Sequence, residues 1–420
     1  MVDIEVLKRV IVENQEFVRG VELTEREYGF EEGGRYVLVG LRQAGKSYLM
    51  YQRMKAELAA GRRPEELCLV NFDDERLAEL KAKELDAILV AYRSLYPGEP
   101  SLYFDEIQNV EGWEKFARRL ANEGRRVWVT GSNAKMLSRE IASTLGGRYL
   151  VKEVWPYSFS EYLRAAGVRE GPGRKYGRGA GEVARRFEAY LRFGGLPETL
   201  RHADKRGWLN GLFGRIFFSD MVARNGVRNE EGLRLTVKKL AESVCQSASY
   251  HRIADLVKAA GAGGTASGVR EYVRFMRESC LVFSIANSAG SFSEREGVQK
   301  HYFTDNGLLN IFLGDPDSAL LENLCAVHLR RRYGEGLKFY RRNAEVDFHV
   351  PEAGLGVQAC WSLANAETAR REVAALEKLD AWRPLGRMLV VTRNERGEIP
   401  LANGKRVEVL PAAEWLLAAC

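Results

Sequence analysis

Short apolar runs alternate with charged, helix-length stretches through the first third of the chain. The runs are 36–39, 67–72, 102–104, 127–130 and 149–151. Each is bounded by turn residues, and each gap is long enough for a helix, which predicts crossover connections and a buried parallel sheet. Ahead of them, residues 1–22 carry the spacing of an amphipathic helix. The periodicity lapses at 167–181, where Gly, Arg and Pro dominate, so an exposed loop within a linker is expected there. From about 182 to 290 the pattern is mainly helical. Three successive helices are expected at 233–245, 249–260 and 267–280, with 281–286 and 300–304 pairing as strands after them. Beyond Gly314 the pattern changes again: helix, short strands (338–341, 346–350, 356–360), helix, a strand at 387–391, and a last helix. The division expected is 1–165, 182–310 and 315–420.

Composition narrows the class without choosing a function. The chain has 420 residues, of which 45% are apolar, 10% aromatic and 29% charged. That is room for two or three domains of about 150 residues each, and it excludes wholesale disorder, collagen and a disulfide scaffold. No apolar run approaches the ~20 residues a membrane span needs. The N-terminal segment, with Asp3, Glu5 and Glu13, lacks the continuous apolar core of a secretory signal. The six cysteines form no CxxC pair and read as reduced thiols, so a cytoplasmic location and no membrane partner are expected. Five isolated histidines give no metal signature. A net charge of +6 permits a nucleic-acid partner without arguing for one.

The chemistry begins at Gly40, Leu41, Arg42, Gln43, Ala44, Gly45, Lys46 and Ser47, which fit GxxxxGK[ST] between a strand and the opening of a helix. Glycines let the backbone wrap a phosphate, with N–H groups pointing inward at a helix N-terminus. Lys46 adds a point charge for β- and γ-phosphates, and the Ser47 hydroxyl is a Mg²⁺ ligand candidate. A chance glycine turn with a surface lysine explains neither flanking element. The apolar run at 102–104 then ends in Asp105 and Glu106. An acid at the end of a buried strand can hold Mg²⁺ beside such a loop, and its neighbour can orient an attacking water. Together with Lys46 these acids point to hydrolysis, whereas the lysine alone points only to binding.

Two further positions keep two readings each. Asn133, after Gly131 and Ser132, either contacts the γ-phosphate or the water, or belongs to a turn that caps a helix starting near Ala134. Arg148, and Arg42 inside the loop, are either charge stabilisers or solvated arginines.

The ordered series 40–47, 71–76, 102–108, 130–133, 147–148 and 155–162 resembles the AAA-type ATPases of prokaryotes that carry a C-terminal domain of unknown function. The resemblance continues through 193–198, 304–308 and 345–348, and so covers most of the chain. It implies a P-loop NTPase parallel-sheet core of the additional-strand class, ATP as nucleotide, Mg²⁺ as cofactor, and a tail related to restriction-endonuclease-like folds. It supplies no substrate. The fold expected is therefore α/β: that core, a helical winged-helix middle domain, and a small α/β C-terminal domain.

The helical order with a following strand pair is that of a winged helix-turn-helix. On the third helix Val269, Val273 and Met276 form an apolar stripe, and Arg270, Arg274 and Arg277 form a second face. Residues 232–280 carry eight Lys/Arg and four Asp/Glu, a net of +4. One reading is duplex DNA bound through that face. The other is a lid or protein contact with a solvated arginine row.

Restriction-endonuclease-like sites need an acid on a helix, an Asp on a strand and (D/E)xK on the next. Here Glu322 opens a helix, Asp347 lies on a strand, and the following strand has Gln358 and Cys360 where the acid and lysine belong. A thiol cannot supply an ammonium, so the fold is expected without efficient cleavage. Arg330–Arg332 and the pair 341–342 stay open as nucleic-acid contacts or solvated surface.

Three functions remain: Mg²⁺-dependent ATP hydrolysis driving a switch on DNA or a protein partner; an ATP-dependent nuclease; and a binding module that ATP merely stabilises. The sequence gives no oligomeric state.

Overall fold

Burial of consecutive residues on both faces of a strand requires helices above and below the sheet, and the first four strands show it. The computed structural model describes residues 3–132, 143–169, 171 and 177–418. It divides into two compact units: Met1–Trp155 with Glu278–Cys280, and Pro156–Arg277 with Leu281–Cys420.

In the first unit β1 (Tyr36–Val39), β2 (Leu67–Asn71), β3 (Ser101–Asp105), β4 (Val127–Gly131) and β5 (Leu150–Glu153) form one sheet. All pairings are parallel, in the order β2-β3-β4-β1-β5. Alternation assigns side chains to two layers. Val37, Val39, Val70 and Phe104 pack with α1 (Ile4–Gly20), α3 (Asp86–Leu95) and α4 (Trp113–Asn122) through Leu7, Ile11, Ile88 and Phe116. Tyr36, Leu38, Leu69 and Trp128 pack with Leu49, Met50 and Met54 of α2 (Lys46–Ala59). The Asp3 carboxylate caps α1, accepting from the Glu5 N–H at 3.0 Å. Strand β4 lies between β1 and β3, the extra strand that the resemblance implied. In register, Val39 lies beside Gly131 and Asn71 beside Asp105, so the strands end along one edge.

The second unit starts with α5 (Phe159–Ala165), α6 (Gly177–Phe193) and α7 (Lys205–Arg215), the last running into a π-helical stretch at Ile216–Ala223. Helix α6 begins inside the segment expected as loop, so that expectation is corrected for residues 177–181. The four-residue spacing of Val183 and Phe187, both buried, carries the helix back through its glycines. Next come α8 (Glu230–Glu242), β6 (Ala248–Ser249), α9 (Tyr250–Ala259), α10 (Ala266–Glu278), β7 (Val282–Ala286), α11 (Phe292–Gly297) and β8 (Val298–Phe303). Their three strands are antiparallel, ordered β6-β8-β7.

After α12 (Asn306–Asn310) and α13 (Asp317–Tyr333) comes a six-stranded sheet. It contains β9 (Lys338–Arg341), β10 (Glu345–Val350), β11 (Leu355–Ala359), β12 (Arg387–Thr392), β13 (Gly397–Pro400) and β14 (Arg406–Pro411). The order is β13-β14-β12-β11-β10-β9, with α14 (Ala366–Trp382) between β11 and β12 and α15 (Ala412–Leu417) last. Strands β13 and β14 were not anticipated. Their charged alternate positions, such as Glu398, Arg406 and Glu408, mask a buried face of Val407 and Val409.

Two motifs of the resemblance turn out to hold each other. The buried Asp305 carboxylate accepts from the backbone N–H groups of Gly195 at 2.8 Å, Gly307 at 2.8 Å and Leu308 at 3.3 Å. Gly194 has φ +73, and a Cβ there would stand 2.0 Å from Asp305, so only glycine fits. Burial pushes the Asp305 carboxyl up to about 6 against those hydrogen bonds.

Candidate nucleotide site

At the end of β1 the chain turns into a loop that two glycines make possible. A Cβ on Gly40 would stand 2.1 Å from the Val154 carbonyl oxygen, and Gly45 has φ +93. Gln43 shares the left-handed region at φ 62. The Ala44 N–H closes the turn on Leu41 O at 3.1 Å, and α2 begins at Lys46. Arg26 fastens this loop from outside the motif. Its buried guanidinium donates to Ala44 O at 3.1 Å and Trp155 O at 2.6 Å. The sequence offered no signal for Arg26, which lies in a segment without periodicity.

Lys46 is 4% exposed, so its ammonium must be partnered. It donates to Gly40 O at 3.2 Å and Leu41 O at 3.1 Å, and lies 3.9 Å from the Glu106 carboxylate. Arg42 is half-buried in the loop itself.

Asp105, at the end of β3, is buried and hydrogen-bonded to the Ser47 side chain. Burial pushes its carboxyl up to about 6; bonds from Thr130 and Ser47 and the charge of Lys46 oppose this, while Glu106 adds to it. Thr130 Oγ1 donates to Asp105 at 2.5 Å and accepts the Glu106 N–H at 3.0 Å. Glu106 itself has φ 51, a left-handed conformation costing about 1–3 kcal/mol for a non-glycine residue. The Gln108 amide donates to its carboxylate. Thr130 and Gln108 were not singled out from sequence; a polar residue closing the neighbouring strand was the available sign for the first.

The structure thus brings Lys46, Ser47, Asp105 and Glu106 together at the strand ends. Asn133 lies outside the described residues. Arg148 is exposed and bonds the Asn122 side chain.

In the second unit Arg270, Arg274 and Arg277 are exposed on α10, while Val269, Val273 and Met276 are buried. Arg274 pairs with Glu271 at 3.1 Å, and Arg270 lies over the Tyr250 ring at 5.4 Å. Arg330 and Arg331 are tied internally: Arg330 to Gly334 O at 3.1 Å, Arg331 to Pro156 O at 2.9 Å and Glu161 at 3.2 Å. Glu322, Asp347 and Gln358 are brought together as well, on α13, β10 and β11. Gln358 Oε1 accepts the Asp347 N–H at 2.8 Å, and its amide nitrogen donates to Glu372 at 2.7 Å. Lys300, which the sequence reading passed over, bridges Glu322 at 3.3 Å and Asp347 at 3.1 Å.

No helix among the described residues is long and apolar enough to cross a membrane. The chain is 29% identical to an uncharacterized protein of Methanocaldococcus jannaschii, over 99% of this chain and 96% of that one. It is 27% identical to an uncharacterized protein of Haemophilus influenzae, over 91% and 94% respectively. Among solved structures, the Walker-type ATPase of Pyrococcus abyssi shares 13% identity at a TM-score of 0.44, covering 74% of this chain and 96% of that chain. The ORC1 protein of Aeropyrum pernix, solved in complex with DNA, shares 16% at a TM-score of 0.29, covering 74% and 91%. Residues 184–319 match a family described as a domain of unknown function. Residues 33–163, the segment carrying the loop and both acids, match the family described as AAA domain.

Proposed function

We propose that the chain binds ATP on the 40–47 loop and hydrolyses it with Mg²⁺, using the turnover to switch its contacts with DNA or a protein partner. One observation carries this reading. The Lys46 ammonium lies 3.9 Å from the Glu106 carboxylate, while the adjacent Ser47 hydroxyl bonds Asp105. Cation, metal ligands and water-orienting acid therefore converge at one edge of the sheet.

The residues fit both groups. The loop's own carbonyls, Gly40 O and Leu41 O, take up the Lys46 ammonium, and phosphate oxygens are better partners for it. Ser47 and Asp105 would hold Mg²⁺, a hard cation suited to oxygen ligands, whose charge offsets that of the phosphates. Lys46 grips the β- and γ-phosphates. Glu106 orients the attacking water, and Gln108 and Thr130 hold Glu106 in place. ATP over GTP rests on the family resemblance.

The test is calorimetric titration of ATP with Mg²⁺ into the purified chain and into Lys46→Ala. Heat of binding for the first and its loss in the second is expected; no heat from the first removes the proposal.

Duplex DNA is the partner best supported on the second unit. Three exposed arginines share one face of α10, and α8–α10 with β6–β8 follow winged-helix order.

A further inference from the structure

Lys300 is fully buried on β8, its ammonium out of contact with solvent. Such a group is stable only when paired and hydrogen-bonded. Its Nζ lies 3.3 Å from Glu322 on α13, 2.9 Å from Glu345 and 3.1 Å from Asp347, both on β10. An ammonium has three donors, and three carboxylates use them all. The Tyr302 hydroxyl donates to Glu322 at 2.7 Å, and the Ala359 N–H donates to Asp347 at 3.1 Å, fixing two of the acids from the far side.

Two of these carboxylates, Glu322 and Asp347, are the ones that a metal-dependent nuclease site would aim at a divalent ion, yet the remaining pieces of such a site are engaged elsewhere. Gln358 spends its carbonyl on Asp347 N–H and its amide on Glu372. Cys360 donates to Ser362 O at 3.2 Å. Among the described residues, no group of three or more His, Cys, Asp and Glu side chains is disposed to hold a metal ion.

We propose that Lys300 is a built-in cation at the centre of this carboxylate cage, standing where a divalent ion would sit, so that the site is closed without metal. The charges of Glu322, Asp347 and Glu345 outweigh burial and hold the ammonium protonated well above the usual lysine range. The cage joins β8, α13 and β10 by one internal ion cluster. It follows that removing the ammonium frees the three carboxylates to close on a cation, and oxygen donors of this kind suit Mn²⁺ or Mg²⁺.

The experiment measures Mn²⁺ binding by electron paramagnetic resonance on full-length protein without nucleotide. The proteins are wild type, Asp347→Asn, Lys300→Met and the double variant Lys300→Met/Asp347→Asn. Comparison within each Asp347 pair subtracts any ion held elsewhere. Wild type and Asp347→Asn are expected to bind alike. Lys300→Met is expected to gain a site at least about a hundredfold tighter than wild type, since the cation that occupies the cage and repels a divalent ion is gone, and the double variant to lose it. Asp347-dependent Mn²⁺ binding by wild type would overturn the proposal, and so would a folded Lys300→Met that gains no site. Should Lys300→Met fail to fold, the wild-type pair still decides. Its two arms are equal binding, which supports a closed cage, and unequal binding, which refutes it.

Discussion

Thr130 donates its hydroxyl proton to Asp105 at 2.5 Å, and the same oxygen accepts the backbone N–H of Glu106 at 3.0 Å. A single side chain on β4 therefore sets the position of both acids at the end of β3. Thr130→Val keeps the shape and removes both bonds. Burying the two freed groups costs about 1–3 kcal/mol of stability. Turnover is expected to fall about 10- to 100-fold through misplacement of Glu106, with ATP affinity changed much less. Phosphate release and calorimetry on the same preparation separate the two.

Arg26 acts on the loop from outside the motif. Arg26→Met removes donors to Ala44 O and Trp155 O, bonds from a charged group worth about 1.5–3 kcal/mol. The loop then has to be ordered when nucleotide binds, so ATP affinity is expected to drop about tenfold or more. Titration calorimetry checks this, with thermal melting to follow the loss of stability.

Much of the first unit was legible because its strands are unbroken apolar runs whose neighbours are helices. The motif at 40–47 and the acids at 105 and 106 sit on strand ends, so the parallel register alone brings them to one edge. The rest depends on contacts that no local pattern encodes. Arg26 and Lys300 act across the fold on groups distant in sequence. The Thr130 hydroxyl looks like any β-branched strand residue until its two partners are seen. Helix α6 starts among glycines because the residues after them are buried, and β13 and β14 hide their apolar face behind charged alternates. In the tail, the missing lysine was sought at 360, whereas an ammonium reaches Glu322 and Asp347 from β8.

Asp305 makes a pH prediction. Its carboxyl is raised from an ordinary 3.8 to about 6, chiefly by burial. Because the folded value is the higher one, protonation favours the folded chain. The contribution is full below about pH 3.8 and is lost as pH rises through about 6. Asp305→Asn turns its amide toward one of the backbone N–H donors and is expected to cost about 1–3 kcal/mol. The advantage of wild type over this variant should be largest near pH 4 and shrink toward about pH 7. Denaturant melts of both proteins across that interval measure it.

The arginine face of α10 predicts salt-dependent duplex binding. Replacing Arg270 and Arg274 by Ala should weaken binding to any duplex and flatten the slope of log K against log salt by about 1.8, or 0.9 per lost phosphate contact. Fluorescence anisotropy at several salt concentrations reads both. An unchanged slope would direct the search to protein partners.

The central claim is hydrolysis at the loop edge, and steady-state phosphate release compared between wild type and Glu106→Gln tests it most directly. The account predicts ATP turnover by wild type that falls at least about a hundredfold in Glu106→Gln, in line with losing a water-orienting acid, while ATP still binds. Equal phosphate release from both proteins would contradict it.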